Sequence, residues 1–237
     1  MLVGFDQLVP RGLHPALADP GPLLGWLAAG AADGLVLHAG IAVQYSGRLA
    51  GGCPWLMKLT TNSALASDST VRGRIGSVEQ ALALGASGVA LNVFIASRHE
   101  AAQLARLADA VASGARWGIP VVAFMSSPQQ LQFDPDAVAY ACRIGAEIGA
   151  DVIKTDFTGD PRTFASVVKQ CPVPVIVEES PLPMTPEGTL ATARDAMAAG
   201  AAGVLFGSRI WAEPDARVLV SGLRRVVHES HEPPPIH

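Results

Sequence analysis

The sequence predicts a (βα)8 barrel, an α/β fold built as one domain over residues 1–228. Three observations point to it. Eight apolar runs alternate with helical patterns along 237 residues, a length that suits one α/β barrel better than two domains. The runs are near-continuously apolar, as strands are when both faces are buried. One plan also recurs four times: Gly30-Ala-Ala-Asp-Gly-Leu-Val, Gly85-Ala-Ser-Gly-Val-Ala-Leu, Gly149-Ala-Asp-Val-Ile and Gly200-Ala-Ala-Gly-Val-Leu. In each, a helix reaches a glycine able to take the left-handed C-cap, a short turn follows, and an apolar strand begins. A doubly wound sheet is the other arrangement open to this alternation.

In chain order, the strands are expected at 1–5, 34–38, 54–60, 88–94, 120–125, 151–155, 174–178 and 203–207. Three open on proline (Pro54, Pro120 and Pro174), which is acceptable at the first position of a strand and excluded from its middle. The stretch 39–53 is glycine-rich without periodicity and reads as a long loop after the second strand. Ser77 stands where an N-cap belongs. Residues 99–117 carry Ala102, Leu104, Ala105, Ala108, Val111 and Ala112 at helical spacing. Asp134-Pro135 supplies an N-cap and a first-turn proline for a helix running to Gly149. Helices at 161–171, 186–199 and 214–228 continue the series, and the tail 229–237, with three successive prolines, is expected to fray.

Composition narrows the function. The net charge is −4 and no basic cluster exceeds Arg224-Arg225, which counts against nucleic acid and anionic membrane as partners. Cys53, Cys142 and Cys171 are odd in number and lack metal-ligand spacing, so they read as buried thiols in a reducing compartment. No charged n-region with an apolar h-region occurs, nor an apolar run of roughly 18 residues, and the expected location is the cytoplasm. The six histidines never fall at metal-ligand spacing. Gly85-Ala-Ser-Gly precedes a strand instead of opening a helix after one, unlike a dinucleotide fingerprint. Ser126-Ser127 has no base beside it in sequence. No metal or organic cofactor is expected.

In such a barrel the chemistry sits at the C-terminal ends of the strands. Those positions hold Asp6, His38, Lys58, Asn92, Ser126, Lys154, Glu178-Glu179 and Gly207-Ser208-Arg209. The chain is organised around Asp151-Val-Ile-Lys-Thr-Asp-Phe-Thr-Gly-Asp160, where a buried strand delivers one lysine, Lys154, to its mouth. A lysine there is costly unless paired or neutral. At an ordinary pKa only roughly one in 2,500 is neutral at pH 7. Desolvation lowers that pKa, and a neutral amine attacks a carbonyl to form a Schiff base. The plainer alternative is a lysine snorkelling to a surface carboxylate. Lys58 has two readings: a like charge that lowers the pKa of Lys154, or the partner of a neighbouring carboxylate. Asp156, two residues beyond Lys154, shares its side of the strand and reads as a loop cap.

These residues resemble a known family, the DeoC/archaeal-type class I aldolases, which includes archaeal fructose-bisphosphate aldolases, aminodideoxyheptulosonate synthases and an autoinducer-processing thiolase. Phe5-Asp6-Gln7 stands where the family has Asp-His-Gly, and Leu37-His38-Ala39-Gly40 resembles its His-Lys-Gly. The stretch from Ala141 to Asp160, Ser77 to Ala86, and Ala198 to Trp211 carry the rest of the likeness. The resemblance implies that Lys154 is the Schiff-base lysine, that Asp6 is the strand-1 carboxylate near it, and that the chain forms homo-oligomers.

The departures from the family are as informative. The acid/base tyrosine of the family's Met-Tyr-Pro-Arg-Gly segment is missing, and the chain has Met125-Ser126-Ser127-Pro128 instead. The family's phosphate cradle, Gly-Gly after strand 7 and Gly-Arg after strand 8, is replaced by Glu178-Glu179 and by Gly207-Ser208-Arg209. A diverged aldolase of specialised metabolism fits this pattern.

The expected reaction is aldol cleavage or condensation of a small-molecule carbonyl substrate. Lys154 is the nucleophile, Asp6 the first choice for the proton shuttle, and Lys58, His38 and Glu179 stand behind it. Glu178, Glu179, Ser126, Asn92, Gly207, Ser208 and Arg209 are expected to contact a substrate without phosphate. The alternatives are acyl or group transfer on the same lysine, or a non-catalytic binding barrel that retained it.

Overall fold

The computed structural model describes residues 1–229 and shows a closed barrel of eight parallel strands. They are β1 (Leu2–Gly4), β2 (Gly34–Leu37), β3 (Trp55–Lys58), β4 (Gly88–Phe94), β5 (Val121–Ser126), β6 (Val152–Thr155), β7 (Val175–Val177) and β8 (Gly203–Phe206). Each strand pairs with its neighbours in sequence, and β8 closes on β1 through Leu2–Leu205 and Val3–Phe206. The tail expected to fray falls outside the described residues beyond Glu229, which ends the helix Ala216–Glu229.

The unbroken apolar runs are explained by two cores. Val36, Ala90, Val122, Phe124, Ile176 and Leu205 fill the barrel interior. Their alternating neighbours, among them Leu35, Val89, Val121, Ile153, Val175 and Val204, pack outward in the layer under the helices. Below the C-terminal mouth both faces of the strands are therefore apolar, and each fully buried aliphatic side chain contributes about 1.5–3 kcal/mol.

The helix ends follow the sequence signals. Ser77 accepts from the Gln80 N–H at 3.2 Å, and Asp134 from the Ala137 N–H at 2.9 Å ahead of Pro135. All four repeated glycines take the left-handed conformation, with φ of +109°, +77°, +108° and +94° at Gly30, Gly85, Gly149 and Gly200. At Gly149 a Cβ would also stand 2.9 Å from Val111.

Two stretches differ from expectation. Residues 39–53 are not a loop: Ala39–Gln44 and Ser46–Leu49 are helical, and they bury Ala42 and Leu49. Pieces of one turn are too short to show a helical period, and their glycines hide the few apolar positions. The third strand ends at Lys58, and Thr60–Thr61 instead pairs antiparallel with Gly73–Arg74 in a small sheet outside the barrel.

Candidate active site

The alternation that fills the barrel also aims the site. Beyond Val122 and Phe124, the inward positions at the C-terminal mouth are Lys58, Asn92, Ser126, Lys154, Asp156 and Glu178. Register sets Phe124 beside Asn92 on one side and Lys154 on the other, and Lys58 beside Ala90. With Asp6, Gln7, Arg11 and Glu179, these inward polar residues border a cavity of about 570 Å³.

Lys154 is 4% exposed and Lys58 3%. Their ammonium groups share the Phe124 ring, with Lys58 Nζ 3.5 Å and Lys154 Nζ 4.5 Å from its centroid. Two like charges so placed each need a counterion. Lys154 is ion-paired with Glu178 Oε2, and Lys58 Nζ lies 3.1 Å from Asp6 Oδ2.

The two pairs titrate differently. Burial works to lower the Lys154 ammonium, but Glu178, with Asp156 and Asp6, outweighs it and holds the group above the ordinary lysine value. That corrects the expectation of a depressed Lys154. The depressed lysine is Lys58: its burial outweighs Asp6, Lys154 pushes the same way, and its pKa falls to about 8. Burial raises Asp6, but Lys58, His38 and Lys154 together bring it below the ordinary carboxylate value. Asp156 behaves in the opposite way. Burial lifts it to about 6; Lys154 opposes the rise, while Glu178 and Glu179 reinforce it.

Gln7 and Arg11, not anticipated as site residues, organise the far side. Gln7 Nε2 donates to Glu178 Oε1 at 2.6 Å, and Gln7 Oε1 accepts the Ser208 N–H at 2.7 Å. Residue 207 must be glycine for this approach, because a Cβ there would overlap the Gln7 amide. Arg11 donates to Glu179 Oε1 at 2.5 Å and to Ser208 Oγ at 3.3 Å.

Some expected contacts are placed elsewhere. Arg209 is buried outside the cavity lining and donates to the carbonyls of Ser180, Leu182 and Pro183 at 3.1–3.3 Å, with Glu179 Oε2 at 3.9 Å. It braces the loop after β7 instead of facing a substrate. Gly207 and Ser208 likewise stand behind Gln7. His38 does not line the cavity; its Nε2 is buried with no hydrogen-bond partner among the described residues, and burial lowers its pKa against the pull of Asp6. Asn92 and Ser126 do line the cavity, and the Asn92 N–H is held by Thr60 Oγ1 at 3.0 Å.

Asp156 is not the loop cap expected of it: among the described residues no backbone N–H donates to its carboxylate, whereas the true cap, Asp160, accepts the Arg162 N–H at 2.7 Å. Its signal in the sequence was its spacing of two from Lys154. Arg11 gave no such signal, since only the four-residue helix Leu8–Arg11 turns it back over the mouth. Among the described residues, no group of three or more His, Cys, Asp or Glu side chains is placed to hold a metal ion.

A barrel with a buried lysine in its mouth, ion-paired and facing a cavity, is the arrangement of Schiff-base enzymes of class I. The chain belongs to the DeoC/LacD family of aldolases, whose profile matches residues 1–213. It is 31% identical over 235 residues to a 2-amino-3,7-dideoxy-D-threo-hept-6-ulosonate synthase of Halobacterium salinarum, covering 98% of this chain and 88% of that protein. It is 33% identical over 238 residues to the class 1 fructose-bisphosphate aldolase of Thermoproteus tenax, covering 96% and 89%. A solved archaeal fructose-1,6-bisphosphate aldolase, with its catalytic lysine covalently bound to the carbinolamine intermediate, superposes with a TM-score of 0.88 at 30% identity over 95% of this chain and 92% of that one.

Proposed function

We propose that this protein is an aldolase that forms its Schiff base through Lys154 and acts on a small carbonyl compound lacking a phosphate at the β7–β8 end of the cavity. The observation that carries this reading is Lys154 itself, buried, facing the cavity and paired with Glu178. The resting ammonium has its proton acceptor already in contact. Passing that proton to Glu178 gives the neutral amine, which adds to the carbonyl; loss of water from the carbinolamine then gives the iminium. Lys58 is the cation available to the oxygen that gains charge as the carbonyl is attacked, and Asp6 holds it in place.

The absence of phosphate is supported by Gln7 more than by bare acidity. Glu178 and Glu179 each have partners, so their charges are largely compensated. An anion at this end would need the Ser208 N–H, and the Gln7 amide occupies it while holding Glu178. A hydroxyl or amine on the substrate meets neither obstacle. Homo-oligomer formation and a cytoplasmic location belong to the same proposal, on the family resemblance and the free cysteines. The test is borohydride reduction in the presence of small ketones, read by intact mass: an adduct mapping to Lys154 is expected, and one mapping to Lys58 would reverse the roles.

A further inference from the structure

Aldol chemistry on a lysine needs a second group that removes a proton from the β-hydroxyl and later returns one to carbon. By the family resemblance Ser126 stands where a tyrosine is expected, and an alcohol is too weak an acid for that work near neutral pH. Four carboxylates reach the cavity. Asp6 is committed to Lys58, Glu178 to Lys154 and Gln7, and Glu179 to Arg11. Asp156 is 5% exposed, shares the inward face of the β6 strand end with Lys154, and alone among the four forms no ion pair within the described residues.

Resting on the Schiff-base reading, we propose that Asp156 is the proton carrier of this site, in place of the tyrosine the chain lacks. In the cleavage direction its carboxylate takes the proton of the β-hydroxyl of the Lys154 iminium. The α–β carbon bond breaks, its electron pair flows into the C=N bond, and an aldehyde leaves. The neutral Asp156 carboxyl then gives the proton to the enamine carbon and restores the iminium. Water, equal to that lost when the iminium formed, releases the ketone and Lys154. Condensation is the reverse.

The surroundings suit a group that must hold and release a proton. Burial opposes the Asp156 anion most, Lys154 favours it, Glu178 and Glu179 oppose it, and the nearby Gln132 side chain favours it a little. Cys142 lies behind, its own pKa pushed up by burial to about 12, and stays neutral. The balance leaves Asp156 near 6, close to working pH, where a proton carrier is most effective. Asp6, the choice from sequence, is held as an anion by Lys58.

The experiment uses dihydroxyacetone, hydroxyacetone and pyruvate as probes. Borohydride trapping reports Schiff-base formation, and incorporation of solvent deuterium at the α-carbon reports proton transfer. Asp156→Asn is expected to keep the Lys154 adduct while exchange falls about 100-fold or more. Asp156→Glu is expected to recover part of the exchange, and the wild-type loss of exchange below about pH 6 should be absent from Asp156→Asn. Exchange within a few-fold of wild type in a trapping-competent Asp156→Asn, or a persistent limb near pH 6, would overturn the assignment. Absence of any adduct in the wild type would instead remove the Schiff-base reading, and this proposal with it.

Discussion

Replacing Gln7 by alanine tests how the cavity treats phosphate. The side chain makes two hydrogen bonds, 2.6 Å to the Glu178 carboxylate and 2.7 Å from the Ser208 N–H. The first, to a charged acceptor, contributes about 1.5–3 kcal/mol, and the second about 0.5–1.5 kcal/mol. Water from the open cavity restores part of this, so Gln7→Ala is expected to lose roughly 2–3 kcal/mol. At about 2–4 °C per kcal/mol for a domain of this size, Tm falls by roughly 4–12 °C. The same change frees the Ser208 N–H. One charge-assisted hydrogen bond to an anion is then available, and about 1.4 kcal/mol of it is a factor of ten. Rates with dihydroxyacetone phosphate and with dihydroxyacetone give the measurement. Wild type should favour the unphosphorylated ketone in kcat/KM, and Gln7→Ala should move the ratio towards phosphate by about tenfold. A wild-type preference for the phosphate, or a ratio that Gln7→Ala leaves unchanged, refutes the reasoning.

Lys154→Ala should show no borohydride-trapped mass with any ketone, while Lys58→Ala should still trap at a reduced rate; the opposite pattern would make Lys58 the nucleophile. Asp6→Asn removes the counterion of Lys58, so most turnover should be lost while the Lys154 adduct still forms. An alkaline limb of kcat near pH 8 in the wild type should move lower in this variant, because burial and Lys154 then act on Lys58 unopposed by Asp6. Asp156 has a second readout in stability. Between its ordinary 3.8 and its folded value of about 6, the folded chain binds a proton the unfolded chain has released. Stability therefore falls as pH rises through that window, by up to about 3 kcal/mol for a shift of about two units. Asp156→Asn should be the more stable protein at pH 7 in urea unfolding, with its advantage gone below about pH 4; an advantage independent of pH would contradict the raised carboxyl.

The barrel was legible because its signals are local and repeated: a glycine C-cap, a short turn and an apolar run, four times over. The inward-facing set was legible for a related reason, since a period of two fixes which residues share the interior once Lys154 is placed. What the sequence hid were relations between distant residues. Lys58 and Lys154 are 96 positions apart (154 − 58), and only closure of the barrel sets both over Phe124 and gives each its own carboxylate. A charge count at Glu178-Glu179 suggests bare repulsion of anions. In the fold Gln7, Arg11 and Lys154 compensate those carboxylates, and the obstacle to phosphate becomes an occupied N–H. Arg209 looked available in the same way, yet the loop after β7 takes its guanidinium.

The pairing of Lys154 with Glu178 also bears on how a buried charge survives the reaction. Removing one member of a buried ion pair leaves the other uncompensated, at a cost of about 3–5 kcal/mol. The iminium carries the same positive charge as the resting ammonium, so Glu178 keeps its partner when the adduct forms. The exposed step is the enamine, in which the nitrogen is neutral. If the proton released in reaching it sits on Asp156, one negative charge disappears from the cavity together with the positive one. Lys154, Asp156 and Glu178 then keep a constant net charge through carbon–carbon cleavage. A proton lost to solvent at that stage would leave two unpaired carboxylates facing each other across a buried neutral nitrogen. Burial, reinforced by the repulsion from Glu178 and Glu179, raises Asp156 in the resting protein and so keeps its proton in place until carbon takes it.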